Sequence, residues 1–351
     1  MAGGVGWRRM KHFLLMIAVV ALVGCGKKEE AAEAEAAIEV LAAAEAKAVA
    51  FDALKVEAAK PVVVGYLPHY RGNIIGKLPV EKFTDVIFFS ISPKPDGSLD
   101  TSRVKPALLA KLVGLAHAKG TRVHICIGGW NLSAGFSAMT ASANARAAFV
   151  HNLVNFIRKH QLQGADFDWE HPENARERAN YHRLLIEAKK VFVSDQLWLS
   201  IAVIDFAKHI KPRNLGAARD RWRAVIPFID RFHVMAYDQG TPHAPFTGAV
   251  GALNYWEILQ VPKTKLVLGL PFYGRSARGK AATYSQIVQR HSPKSNVDQA
   301  GGFHFNGPVT IRRKTEFVLQ QKYGGVMIWE ISQDSAGPTS LLDAVHAAIR
   351  E

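Results

Sequence analysis

From residue 61 onward, short runs of apolar residues recur along the chain, at 62–66, 85–89, 122–127, 164–168, 197–203, 231–236, 265–270 and 325–329. Runs this short, apolar on consecutive positions and bounded by glycine, proline or charge, are what strands buried on both faces require. Between most of them apolar residues return every three or four positions, most clearly at 106–119, 142–160, 176–193 and 310–321. That period predicts amphipathic helices. Eight buried strands interleaved with helices predict an α/β fold, the (β/α)8 barrel, with a doubly wound sheet as the competing arrangement. Polar residues fall at the C-terminal ends of several different strands, where barrel enzymes carry their sites, and this favours the barrel.

The first 60 residues follow another pattern. A basic stretch, Trp7-Arg8-Arg9-Met10-Lys11, precedes an apolar run at 13–23 that is too short to span a bilayer comfortably. The run ends in Leu22-Val23-Gly24-Cys25, which resembles a bacterial lipoprotein signal with Cys25 as the lipidated residue after cleavage. An ordinary signal peptide and an uncleaved anchor are the alternatives, and Met10 is a second candidate start. Gly26 follows Cys25, not the aspartate of inner-membrane retention, so the expected location is the bacterial cell envelope, lipid-anchored at the outer membrane or cell surface. Residues 26–60 are rich in Ala and Glu with few large apolar side chains, and read as a solvated tether. The expected organisation is therefore a signal at 1–25, a tether at 26–60 and a catalytic barrel at 61–351.

Composition adds boundaries. The 351 residues are 48% hydrophobic and 21% charged, a globular balance, and the net charge of +14 favours attraction to anionic surfaces. No basic helix, zinc spacing or aromatic ribonucleoprotein box accompanies that charge, so no nucleic-acid partner is expected. Two cysteines provide no disulfide framework. The histidines are scattered without ligand spacing, and neither metal nor cofactor is expected.

The chemistry concentrates in Gly164-Ala165-Asp166-Phe167-Asp168-Trp169-Glu170-His171-Pro172. Side chains alternate along a strand, so Asp166, Asp168 and Glu170 share one face while Phe167 and Trp169 share the other. Three like charges side by side are costly to bury, and a strand keeps them for chemistry. Glu170, held protonated by the charge of Asp168, would donate a proton to a leaving-group oxygen. A solvated sheet face and a divalent-cation site are the other readings of these residues alone.

This run resembles the Asp-Gly-x-Asp-x-Asp-x-Glu signature of family 18 glycoside hydrolases, the chitinase family, with Gln163 in place of its first Asp. Other motifs agree in order: Cys126-Ile127-Gly128-Gly129-Trp130, with Cys126 for the family's Ser; Met235-Ala236-Tyr237-Asp238; Gly269-Leu270-Pro271-Phe272-Tyr273-Gly274-Arg275; and Trp329 on the last strand. The resemblance implies retaining, substrate-assisted hydrolysis of β-1,4-linked N-acetylglucosamine through an oxazolinium ion. It implies that Glu170 is general acid and then base, and that Asp168 binds the acetamido N–H. Asp166 would share a proton with Asp168, and Tyr237 would donate to the acetamido oxygen. Trp329 would be the apolar floor under the sugar, with Asp238 and Met235 beside it. Tyr66, Phe89 and Trp130 would line the cleft or pack beneath it, and Gly129 would let the backbone approach. Arg275 would reach into the cleft or pair with a carboxylate at the barrel top. His171 stands where the family often has Tyr and reads as a space-filling rim residue.

The stretch between the seventh and eighth strands, 276–323, has room for little or no α+β insertion, which implies a shallow cleft and endo-type cleavage. A monomer acting on chitin or other N-acetylglucosamine-containing glycans is expected, held to a membrane by its lipid. A non-hydrolytic sugar-binding protein on the same barrel, or a hydrolase of peptidoglycan or N-glycan core, are the alternatives.

Overall fold

The eight expected strands form, and they close on themselves. In the computed structural model, which describes residues 60–204 and 215–350, they are β1 (Val62–Pro68), β2 (Asp85–Pro93), β3 (Arg122–Gly128), β4 (Gly164–Asp168), β5 (Trp198–Ile204), β6 (Arg231–Met235), β7 (Leu266–Pro271) and β8 (Gly325–Trp329). Each pairs in parallel with the next, and β1 pairs with both β2 (Gly65↔Val86) and β8 (Val63↔Val326), so the main sheet has no free edge between its first and last strands. Closure satisfies the outer ladder groups of both strands. The Cys25 signal and all of the expected tether except Lys60 lie outside the described residues.

The pleat sorts each strand into two apolar layers. Val64, Ile87, Cys126, Val267 and Met327 fill the lumen. Their neighbours in sequence, among them Val63, Phe88, Ile125, Leu268 and Ile328, face the helices instead. The four helices expected from periodicity form within two residues of their expected ends, as α1 (Pro106–His117), α3 (Ala143–Lys159), α4 (Ala175–Phe192) and α8 (Pro308–Gln320). Between them in sequence come α2 (Gly135–Ala141), α5 (Leu215–Arg223), α6 (Phe246–Ile258) and α7 (Tyr284–His291), and α9 (Leu341–Arg350) follows. Local chemistry sets the helix starts: Ser142 Oγ accepts from Ala145 N at 3.3 Å and Asn174 Oδ1 from Glu177 N at 2.9 Å. No helix among the described residues is long and apolar enough to cross a membrane.

The strands' N-terminal ends are tied by a buried ionic cluster. Asp85, which opens β2, is 1% exposed. It accepts from Arg122 Nε (2.6 Å) and Nη2 (2.9 Å), from Arg231 Nη1 (2.8 Å) and from His124 Nε2 (2.8 Å). Trp198 lies under both guanidinium groups, 4.9 Å from Arg122 and 4.3 Å from Arg231. Gln163, the departure from the family signature, belongs to this end: its Oε1 accepts from Val123 N at 2.8 Å. It stitches β3 to the start of β4 and takes no part at the other end of the strand.

Between β7 and β8 the chain makes only a small excursion. Four short antiparallel strands (Tyr273–Ser276, Ala281–Thr283, Gln299–Ala300, Phe303–His304) carry helix α7 between the second and third.

Candidate active site

Because β4 keeps its pleat, Asp166 and Asp168 point inward while Ala165 and Phe167 pack outward. Asp166 is fully buried and fully engaged. Its Oδ2 accepts from the Tyr66 hydroxyl of β1 at 2.6 Å, and its Oδ1 from the Ser200 hydroxyl of β5 at 2.6 Å. His233 Nδ1 of β6 stands 3.0 Å from Oδ1 and 3.0 Å from the Tyr66 oxygen. Burial alone would raise the Asp166 pKa, but the His233 ring and the two hydroxyls outweigh it, and the group is held below the usual carboxylate value. Asp166 is therefore a fixed negative charge.

Asp168 is its opposite. Burial, then the charges of Glu170 and Asp166, push its pKa well up, and it hydrogen-bonds to Glu170. Its Oδ1 is buried with no hydrogen-bond partner. Glu170 is also raised, chiefly by burial, against the opposing pull of the Trp130 backbone amide and of Asp168. Two expectations change here. Asp166, which has donors of its own, is held low, while Asp168 and Glu170 are both raised and lie against each other, so a proton on Asp168 is better placed toward Glu170 than toward Asp166. Burial, not the charge of Asp168, leads the rise in the Glu170 pKa, and the hydrogen bond with Asp168 opposes it.

The backbone around this pair is locked from β3. Gly129 N donates to Asp168 O at 2.7 Å, and Glu170 N donates to Ser133 Oγ at 3.1 Å. Gly128 has φ +92° and Gly129 +103°, a region that disfavours side chains. A Cβ on Gly128 would stand 2.4 Å from Asp168 O, and one on Gly129 would stand 2.2 Å from the Phe89 ring. Cys126 lies beside Asp166 in register, and burial followed by the charges of Asp166 and Asp168 keeps it a thiol.

Above the carboxyls, Trp329 is half-buried, edge-on to Phe89 at 4.9 Å and tilted against Tyr66 at 5.5 Å. Tyr237 and Met235, both half-buried, pack against the same lumen cluster. The Tyr237 hydroxyl lies 4.0 Å from Met327 Sδ, and burial pushes its pKa well up, so it keeps its proton. Trp130 is 68% exposed at the rim, its ring 6.5 Å from that of His171.

Of the two roles open to Tyr66 and Phe89, lining the cleft or packing beneath it, both take the second. Tyr66 is 2% exposed and spends its hydroxyl on Asp166, and Phe89 is 6% exposed beneath Gly129 and Trp329. Both support the site from inside the barrel. Of the two places open to Arg275, it takes the carboxylate: Nε and Nη2 donate to Asp238 Oδ1 and Oδ2 at 2.6 and 2.8 Å. That fork, with His243 and Tyr273, holds Asp238 well below the usual carboxylate range against its own burial. Asp238 thus comes to the site already paired.

Ser200, His233 and Ser133 are the residues that sequence reasoning missed. The first two carried a signal: each is a polar residue in the middle of an apolar strand run, at an inward position. Among the described residues no cluster of three or more His, Cys, Asp or Glu side chains is disposed around a common metal position. The acidic ladder is instead engaged by hydroxyls, an imidazole and the contact between Asp168 and Glu170. This arrangement can deliver a proton from Glu170, receive it back, and present an unpaired acceptor on Asp168 beside a phenolic donor.

Known proteins agree with the geometry. The family profile described as Glycosyl hydrolases family 18 matches residues 62–334. Probable chitinase 10 of Drosophila melanogaster is 27% identical over 285 residues, 62% of this chain and 12% of that protein. Probable chitinase 2 of the same organism is 30% identical over 220 residues, 57% of this chain and 42% of that protein. The chain thus spans less than half the length of these two relatives. A family 18 chitinase from the chitin utilization locus of Flavobacterium johnsoniae superposes with a TM-score of 0.71 at 26% identity, covering 83% of this chain and 94% of that one.

Proposed function

The chain belongs to family 18 of the glycosyl hydrolases, and from that membership and the acidic ladder we infer that it hydrolyses β-1,4-linked N-acetylglucosamine chains with retention. What carries this is the buried Asp168 and Glu170 carboxyls lying together, both with raised pKa, next to an Asp166 held low by its own donors. In the first step Glu170 gives its proton to the glycosidic oxygen as the C1–O bond breaks. The carbonyl oxygen of the substrate's own 2-acetamido group bonds to C1 in its place, forming an oxazolinium ion. Asp168 Oδ1, unpartnered in the free protein, accepts the acetamido N–H and balances the positive charge. The Tyr237 hydroxyl donates to the acetamido oxygen, and Trp329 floors the sugar. In the second step Glu170 takes a proton from water, the oxygen attacks C1, and the acetamido group is restored.

The small excursion between β7 and β8 supports an open cleft and endo-type cutting. The Leu22-Val23-Gly24-Cys25 stretch supports lipid anchoring through Cys25 in a bacterial envelope, with residues 26–60 as the spacer and a monomeric barrel beyond it.

Substrate assistance is tested by incubating the full chain with chitin hexasaccharide and with its fully deacetylated counterpart, following the anomeric protons by NMR. The expected result is β-anomer product from the acetylated chain alone. Equal cleavage of both, or initial α-anomer, contradicts it.

A further inference from the structure

Glu170 must be protonated in the first step and ionised in the second, so whatever stands at its open side affects both. On the inner side stand Asp168 and, behind it, Asp166, both on β4. Asp238 faces it from the loop after β6, and the backbone amide of Trp130 from the loop after β3. Asp238 disfavours a negative charge on Glu170, whereas the hydrogen bond with Asp168 and the Trp130 amide favour it. Among the described residues, the one basic side chain within salt-bridge reach is the next residue. His171 Nε2 lies 3.8 Å from Glu170 Oε2, with the histidine side chain 38% exposed and the glutamate 16%. The His171 ring tilts against Trp130, itself exposed at the rim.

We propose that His171 is a positioning residue for the Glu170 proton: its imidazole, at the rim on the open side of that carboxyl, stabilises the ionised Glu170 that the water-attack step requires. This deepens the hydrolytic reading above and rests on it for its kinetic consequence. The ionic contact itself stands on geometry alone. Burial lowers the pKa of His171 and raises that of Glu170. Tyrosine at this position would fill the same rim space without a charge to lend, so the histidine gives the barrel a function that space-filling does not.

Two readouts test this on the full chain. The first is the pH profile of kcat/KM on chitin oligosaccharides for the parent, His171→Gln and His171→Lys. A permanent cation holds Glu170 ionised and a neutral amide does not. The alkaline limb of the Lys variant should therefore fall about half a pH unit or more below that of the Gln variant, with the parent between them. A merely steric role would change the height of the profile and leave its limbs in place. The second readout needs no turnover: the NMR titration of the His171 ring in the parent and in Glu170→Gln. Loss of the carboxylate should lower the His171 midpoint by a similar amount. Coincident limbs, or an unmoved midpoint, overturn the proposal. If the midpoint moves but no variant, and not the parent, cleaves chitin oligosaccharides, the ionic pair stands and the hydrolytic reading fails.

Discussion

The hydroxyl of Tyr66 donates to Asp166 Oδ2 at 2.6 Å, across the lumen from β1 to β4. This contact is one of those that hold Asp166 low while its neighbours on the ladder are raised. With Tyr66, Ser200 and His233 around it, Asp166 has no need of a proton from Asp168, and Asp168 turns to Glu170. The buried ladder is thereby divided into a fixed charge below and a proton-carrying pair above.

Tyr66→Phe removes one donor from a fully buried carboxylate. The expected cost is about 1–3 kcal/mol of stability, since the freed acceptor stays buried. Activity on chitin oligosaccharides should fall on the order of tenfold, less than for a group that touches the reacting atoms. Denaturant unfolding and steady-state kinetics check the two halves separately. Unchanged activity would show that Asp166 is held without this bond.

Much of the fold was legible in the sequence. Strands buried on both faces write themselves as continuous apolar runs, and all eight were readable. Asp166, Asp168 and Glu170 were legible because three acids at period two are too costly to be incidental. What the sequence did not disclose is non-local. Tyr66, Ser200 and His233 meet Asp166 only because closure brings β1, β5 and β6 around β4, and pairwise distances across a lumen leave no trace in spacing. The source of Glu170's raised pKa was hidden for the same reason: burial belongs to the assembled barrel, whereas the charge of Asp168 is visible two residues away. Arg275 was undecidable until the excursion after β7 placed it against Asp238.

Asp85→Asn should be the most damaging change at the strands' N-terminal ends. It leaves Arg231, 8% exposed, without its counter-charge, at an expected cost of about 3–5 kcal/mol. Burial alone would raise the Asp85 pKa, but Arg231, His124 and Arg122 together depress it well below normal. Its contribution is therefore complete above about pH 3.9 and is lost as pH falls further. The stability difference between parent and variant, measured by urea unfolding, should shrink as the solution is acidified below that value. A difference independent of pH would contradict the ionic account.

Lys314 titrates in the opposite sense to a stabilising cation. Fully buried, it donates to Ala244 O at 2.9 Å and Asn306 Oδ1 at 2.7 Å, and burial lowers its pKa to about 7 despite the opposing influence of Asp298. Between about pH 7 and about 10.4 an unfolded lysine binds a proton that the folded one has released, so folding gains stability as pH rises through that window. Lys314→Met should flatten this part of the parent's stability–pH curve, as read by thermal unfolding in matched buffers. A parallel curve for the variant would place the slope elsewhere.

The central claim is that Glu170 carries the proton. The most direct measurement is hydrolysis of chitin hexasaccharide by the full chain beside Glu170→Gln, with binding of the sugar followed in both by tryptophan fluorescence. The account predicts a parent that cleaves and a variant that binds about as well and loses at least about a hundredfold in kcat. A parent that binds without cleaving, or a variant that cleaves as fast as the parent, would contradict it.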